Sequence, residues 1–161
     1  MHIQRLDRDT MELGDMEPLC CDLIGKILPS ADPGDDTAVL RRLYSSPTEG
    51  REPDLEQDWK SYVEPELRDL FRSSQEIVAD DLRDFSPPES GEPGTLRIPL
   101  KHLDAGIHTL NQARLAIAAR HDFTEKDMEK RNATIGDARA LALFQVHFYG
   151  FLQECFLQQL D

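Results

Sequence analysis

Two strongly apolar helical stretches in the C-terminal part of the chain carry polar groups at positions where their own periodicity predicts burial. In the first, residues recur at steps of three and four, the spacing of one helix face: Leu103, Ile107, Leu110, Arg114 and Ile117. In the second, the same spacing gives Leu141, Phe144, Phe148, Phe151 and Cys155, with Glu154 near the edge of the stripe. An isolated buried guanidinium costs several kcal/mol. Arg114 therefore predicts a partner or a ligand between two long helices.

The polar residues around Arg114 leave two interpretations open. Asn111 lies one helical turn before Arg114, so both side chains could converge on Glu154 or on a small anion. The first interpretation is a buried ion pair between Arg114 and Glu154, with Asn111 bonded to a backbone carbonyl. The second is an anion or carboxylate site between the two helices, built from Asn111, Arg114 and Glu154.

The order of periodic segments predicts a mainly α-helical single domain over residues 1–161, a helical bundle around two long C-terminal helices. These two helices are expected at about 101–121 and 137–160. Shorter helices are predicted by apolar periodicity and by capping residues at 16–28, 37–44, 55–63, 65–85 and 124–130. Three parts follow from composition: an acidic N-terminal part (1–85), a flexible loop rich in proline and glycine (86–95) and a neutral helical part (96–161).

A minor β element is predicted beside the helices. Leu96, Ile98 and Leu100 alternate with other residues, which is typical of a short strand, and Pro99 confines that strand to an edge. Pairing with a second short strand at 10–13 gives a two-stranded element. This pairing is expected to bring the acidic and neutral parts together.

The charge of the chain is concentrated in its first part. Residues 1–95 hold 23 acidic and 10 basic side chains, whereas residues 96–161 hold 8 of each. Because phosphate backbones bind clustered Lys and Arg, this acidic chain is predicted not to bind nucleic acid. Its net charge of -13 favours solubility or a basic partner. No apolar run approaches the roughly 18–20 residues of a membrane span, and the N-terminus lacks a signal core, so we expect a cytoplasmic protein without a membrane partner.

Three cysteines, Cys20, Cys21 and Cys155, are too few for a disulfide framework, and reduced thiols are expected. No Cys-x-x-Cys pair is present and the histidines lack metal-ligand spacing, so neither a metal nor a cofactor is predicted. Helix periodicity places Cys20 and Cys155 inward and leaves Cys21 more accessible. One interpretation is a redox switch, with Cys21 and Cys155 as the candidate thiols. The alternative is that the cysteines are small apolar core residues.

Aromatic side chains cover more than one side of the last helix: Phe144, Phe148, Tyr149, Phe151 and Phe156. A helix of this kind is either central, with contacts on several sides, or part of a partner surface. We favour the central helix, and a homodimer remains compatible with it.

Three sequence blocks carry a resemblance to a known family. They are LNQARLA at 110–116, FTEKDME at 123–129 and FYGFLQE at 148–154, with weaker similarity at 40–43 and 59–67. In these core and turn patterns the chain resembles a bacterial family catalogued as a domain of unknown function, some members of which are called actinobacterial oxidative stress regulators (AosR-like). The resemblance implies a stress-related regulatory role, and genes of this family often look linked to the adaptor of the Clp protease. The adjacent Cys20 and Cys21 differ from a spaced redox pair.

No catalytic motif stands out in the chain, because Gly-rich phosphate loops, a Gly-x-Ser-x-Gly elbow and His-Glu-x-x-His are absent. We therefore expect a non-enzymatic, cytoplasmic regulatory or adaptor protein that acts through contacts with a protein partner and needs no cofactor. Two alternatives stay open. One is a small-molecule or anion-binding domain anchored by Arg114, and the other is a cysteine-based redox switch.

Overall fold

The computed structural model of the protein describes residues 1–89, 91–130 and 136–160. Within these residues, three strands and eight α-helices follow one another as β1 (His2–Arg5), β2 (Thr10–Met16), α1 (Pro18–Gly25), α2 (Ile27–Ala31), α3 (Thr37–Tyr44), α4 (Pro53–Asp58), α5 (Glu64–Leu82), β3 (Gly94–Pro99), α6 (Leu103–Arg120), α7 (Glu125–Glu129) and α8 (Ala138–Leu160). A π-helical segment (Trp59–Val63) joins α4 to α5, and a 3-10 turn (Leu100–His102) precedes α6. Ser90, inside the predicted loop 86–95, lies outside the described residues.

Local capping fixes the starts of two helices where the sequence predicts them. Asp36 Oδ1 accepts hydrogen bonds from the backbone N–H groups of Ala38 (3.0 Å) and Val39 (3.1 Å) at the start of α3. At α7, Thr124 and Asp127 form a capping box. The mainly helical fold with two long C-terminal helices is confirmed.

The β element has three strands, so the prediction of two strands is wrong. Both pairs are antiparallel, in the order β1-β2-β3, and β3 lies at an edge as Pro99 predicts. Pairing of Met11 with Ile98 joins the acidic part of the chain to the neutral part. Strand β1 escapes prediction because it is four residues long and only Ile3 is partly buried, so its sequence carries no alternating apolar pattern.

In the structure, the helix predicted at 16–28 is divided into α1 and α2, and it begins at Pro18. Gly14 and Asp15, expected to form a turn and a cap, belong to β2, where the register with β3 shifts between Leu13 and Met16. Asp15 has a φ of 50°, in the left-handed region. Pro18 occupies the first turn of α1, a position that suits its fixed φ and its missing N–H.

Helices α6 and α8 pack antiparallel and approach closely at two glycines. A Cβ added to Gly106 would lie 3.0 Å from the ring of Phe156, and one added to Gly150 would lie 3.2 Å from Arg114 Cζ. The core around these helices also includes buried side chains of β2, β3, α1, α2 and α5. The acidic and neutral parts of the chain therefore share one apolar core.

The buried face of α8 is rotated from the predicted stripe. Val146, Tyr149 and Leu152 are almost fully buried, whereas Phe151, a predicted core position, is 47% exposed. Periodicity does not distinguish these faces because apolar residues occupy several sides of α8. The rotation must therefore be set by contacts with the rest of the molecule.

Tyr149 supplies the polar contact that fixes this rotation. Its hydroxyl donates a hydrogen bond to the backbone carbonyl of Leu23 in α1 (2.6 Å) and accepts one from Gln145 Nε2 (2.8 Å). Gln145 Nε2 also lies 2.8 Å from Ser30 Oγ. Burial raises the pKa of Tyr149 to about 12, so the phenol remains a neutral donor over the physiological range.

Replacing Tyr149 with phenylalanine tests this anchor. We expect Tyr149→Phe to lower the free energy of unfolding by about 0.5–1.5 kcal/mol, because the Leu23 carbonyl loses its side-chain donor and keeps only the backbone N–H of Lys26 (3.1 Å). Urea denaturation measures the change. Tyr62→Phe is the matched control, since Tyr62 is 71% exposed and its variant should stay within about 0.5 kcal/mol of the wild type. Equal losses in the two variants would contradict the anchoring role.

Candidate functional site

A groove of about 840 Å³ opens between α6 and α8 at the Arg114 side chain. Arg114 comes from α6 and Lys130 from the end of α7, and α8 supplies the other lining residues: Phe144, His147, Gly150, Phe151, Gln153, Glu154 and Leu157. The lining of the groove therefore contains both polar and apolar side chains. We call this the Arg114 groove.

Arg114 is partly buried and bonded to a neutral side chain. Its Nη1 donates a hydrogen bond to Gln153 Oε1 (2.6 Å), and Gln153 Nε2 donates to the backbone carbonyl of Ile107 (3.0 Å). Among the described residues, no acceptor reaches the buried Nε atom of Arg114. Burial lowers the pKa of Arg114, yet a guanidinium keeps its charge at neutral pH. A charged group is thus partly desolvated, and the described residues provide no counter-charge for it.

The predicted ion pair between Arg114 and Glu154 is not formed. No carboxylate oxygen of the described residues lies within 4.0 Å of the Arg114 nitrogens. The rotation of α8 explains this, because it turns Gln153 toward α6 and leaves Glu154 exposed at the groove. Asn111 is exposed and does not line the groove. Of the three predicted site residues, the structure brings together Arg114 and Glu154, without direct contact.

Two residues that the sequence analysis did not single out complete the site. Gln153 fixes the guanidinium, and Gly150 lets it lie against α8, since a Cβ at Gly150 would lie 3.2 Å from Arg114 Cζ. The signal for Gly150 was available, because a glycine inside a helix costs about 1 kcal/mol and indicates close packing. No comparable signal marks Gln153. His147 also lines the groove, and its buried Nε2 has no hydrogen-bond partner in the described part of the chain.

The arrangement suits binding of an organic anion. Nη1 is the one guanidinium nitrogen of Arg114 that has an acceptor among the described residues, which leaves Nη2 for a ligand oxygen. Phe144, Phe151 and Leu157 offer apolar contact beside it. The described lining residues include no serine, threonine or cysteine. The groove can therefore hold a carboxylate on an apolar body by charge-assisted hydrogen bonds and apolar contact.

The candidate thiols lie apart from the groove, and the expected exposure of the adjacent pair is reversed. Cys21 is fully buried and Cys20 is partly exposed, because α1 packs Cys21 against β3, where Gly94 leaves room for the sulfur. Cys155 is partly buried against the core. Burial raises the pKa of all three thiols. This disfavours the thiolate that a redox switch needs.

A double substitution tests whether Arg114 is structural. We expect Arg114→Met with Gln153→Met to match or exceed the wild type in free energy of unfolding, because an apolar pair removes the desolvation cost of the guanidinium. Urea denaturation measures this, and Arg72→Met on the exposed face of α5 controls for loss of one positive charge. A loss of about 3–5 kcal/mol, as for a broken buried ion pair, would contradict this interpretation.

Comparison with known families matches residues 4–160 to a family described as a domain of unknown function, DUF2017. This agrees with the bacterial family of unknown function that the three sequence blocks predict. No curated protein and no solved structure matches the chain. None of the helices in the described ranges is long and apolar enough to cross a membrane. Because the family match spans nearly all of the sequence, the chain belongs to the DUF2017 family.

Proposed function

We propose that this protein is a non-enzymatic regulator that binds a carboxylate-bearing organic molecule in the Arg114 groove. One observation carries the proposal: the guanidinium of Arg114 is partly buried with no carboxylate partner among the described residues, and it faces an open groove. A charge in that position is costly to the empty protein. A bound carboxylate would offset that cost through charge-assisted hydrogen bonds of about 1.5–3 kcal/mol each.

The walls of the groove favour an apolar body on the ligand. Phe151 and Leu157 are both about half exposed, and Phe144 is partly buried beside them. Covering these side chains contributes roughly 25 cal/mol for each Å² of apolar surface removed from water. The proposed ligand therefore has one polar end at Arg114 and an apolar end along α8.

The charges around the groove favour a singly charged ligand over a multiply charged one. Glu154 is exposed at the groove, and the chain as a whole has a net charge of -13. Lys130, the other cation among the described lining residues, is paired with Asp127 at 3.1 Å. A single unpaired guanidinium beside a carboxylate favours a monocarboxylate over a phosphate dianion.

The regulatory part of the proposal rests on the resemblance to actinobacterial oxidative stress regulators. That resemblance supports a stress-related regulatory role, and we propose that it is exerted through a protein partner. In this scheme the ligand bridges α6 and α8 and stabilises their contact. The partner protein then recognises the stabilised arrangement of the two helices. Since burial raises the pKa of Cys20, Cys21 and Cys155, a ligand is a better candidate signal than thiol oxidation.

Thermal unfolding with a series of straight-chain carboxylates tests the binding. We expect hexanoate, octanoate or decanoate to raise Tm progressively with the logarithm of its concentration above Kd, while the corresponding neutral amide has no effect. At a ligand concentration of about 100 times Kd, the free energy of unfolding rises by about 2.7 kcal/mol. For a chain of this size, that gain corresponds to roughly 5–10 °C in Tm. If each carboxylate of the series acts no better than its amide, the proposal is wrong.

Two variants and one control assign the effect to the groove. Arg114→Gln should abolish stabilisation by the carboxylate, because it removes the charge while keeping a polar side chain. Gly150→Ala should weaken binding with the charge retained, since its Cβ would lie 3.2 Å from Arg114 Cζ and displace the guanidinium. Arg72→Gln removes an exposed arginine outside the groove and should bind like the wild type. Stabilisation that survives Arg114→Gln would place the carboxylate elsewhere.

A further inference from the structure

A second concave surface lies on the acidic part of the chain, where α4 passes through the π-helical segment into α5. An apolar pocket of about 460 Å³ opens there, with walls formed by Pro47, Leu55, Asp58, Trp59, Tyr62 and Val63. Leu55 is 49% exposed, Tyr62 is 71% exposed and Val63 is 40% exposed. We call this the π-helix pocket. It shares no lining residue with the Arg114 groove.

Hydrogen bonds hold both walls of the π-helix pocket in place. Glu56 Oε1 accepts hydrogen bonds from Thr48 Oγ1 (2.9 Å), the backbone N–H of Gly50 (2.7 Å) and the Ser46 hydroxyl. On the other wall, Trp59 Nε1 donates to the backbone carbonyl of Tyr44 (2.9 Å). These hydrogen bonds connect the loop 46–50 to α4 and the π-helical segment to α3, so that the walls of the pocket are held by neighbouring elements.

The π-helical segment itself sets the geometry of the exposed residues. Regular α-helical spacing would continue the stripe of α4 into α5, but five residues, Trp59–Val63, adopt π-helical geometry instead. Such segments are rare and are frequently found at functional sites. Trp59 is held against Tyr44 while Tyr62 and Val63 remain exposed. An apolar patch retained at such a segment is typical of an interaction site.

The charge around the π-helix pocket identifies the kind of partner. Residues 45–70 hold eight acidic and three basic side chains. Two of the bases are already engaged, since Arg68 pairs with Glu64 (2.8 Å) and Arg51 lies near Glu49 (3.7 Å). Asp58 lines the pocket, and no ion pair within the described residues engages its carboxylate. The same holds for the other carboxylates of this segment, Glu52, Asp54 and Glu66, and for its third base, Lys60. An apolar pocket that has an unpaired carboxylate on its wall and lies in a strongly acidic segment complements an apolar stripe flanked by basic residues.

We infer that the π-helix pocket docks a basic amphipathic helix of a partner protein. Apolar side chains one helical turn apart would enter between Leu55, Trp59 and Tyr62, and lysine or arginine residues beside them would meet Asp58 and its neighbours. A second copy of this chain is disfavoured as the occupant, because each copy carries a net charge of -13. The same charge repels nucleic acid and anionic lipid. This inference concerns a second site and does not depend on the proposed ligand of the Arg114 groove.

Trp59 provides the readout, because it is the one tryptophan of the sequence and it lines the pocket. The probe is a leucine–lysine peptide of about 18 residues, without tryptophan, with leucine at amphipathic helical spacing. We expect a saturable blue shift of Trp59 emission as the peptide covers the ring. Tyr62→Ser and Asp58→Lys should each weaken binding by about ten-fold or more, as central interface residues do. Circular dichroism checks that both variants remain folded.

Matched controls separate docking from general attraction to an acidic protein. Asp22→Lys makes the same charge change on an exposed position of α1, and Leu160→Ser removes an apolar side chain that is 50% exposed at the end of α8. Both should bind the peptide like the wild type. Equal weakening by Asp22→Lys and Asp58→Lys would overturn the inference, and so would equal binding of a permuted peptide with no amphipathic face.

Two further results would also overturn it. Absence of any saturable emission change would exclude docking of this class of helix. A dimer in sedimentation equilibrium that is lost in Tyr62→Ser would assign the pocket to a second copy of the chain. Either result leaves the carboxylate proposal standing, because thermal stabilisation by carboxylates and its loss in Arg114→Gln are measured at the other site.

Discussion

The hydrogen bond from the Tyr149 hydroxyl to the Leu23 carbonyl determines how α8 lies in the molecule. Helix α8 is apolar on several sides, so apolar burial alone admits more than one rotation of it about its axis. Tyr149 is fully buried and its hydroxyl needs an acceptor, so a rotation that brings it to the Leu23 carbonyl is favoured. Once Tyr149 faces α1, Gln153 faces α6 and Glu154 faces outward. The neutral partner of Arg114, and with it the open groove, follows from this rotation of α8.

A neutral amide stabilises a partly buried guanidinium less than a carboxylate does. The amide satisfies one nitrogen, and in the described part of the chain no negative charge compensates the guanidinium. Proteins commonly retain such a cost where a site has to stay open to a ligand. The glycine at position 150 fits this view, because it gives up helix propensity to let the charged group lie against the helix backbone. The guanidinium and the glycine therefore both lower the stability of the protein at the Arg114 groove.

Sequence patterns predicted the parts of the fold that local chemistry controls. Asp36, Thr124 and Pro99 each act on their own few residues of backbone, and the caps and the edge strand follow. Strand β1 could not be predicted from such patterns, because pairing with β2 stabilises it and its own sequence has no alternating apolar residues. The rotation of α8 and the reversed exposure of Cys20 and Cys21 depend on contacts between distant segments. For the site, periodicity found Arg114 but selected Glu154 as its partner where the structure has Gln153.

The burial of Cys21 limits the reaction of its thiol with small electrophiles. Its sulfur occupies the space that a side chain on Gly94 would need, between helix α1 and the edge strand β3. Because Cys21 is fully buried, a reagent reaches its sulfur only when the packing around it opens. Modification of this thiol therefore waits for a transient parting of the sheet edge, and its rate measures how often that parting occurs.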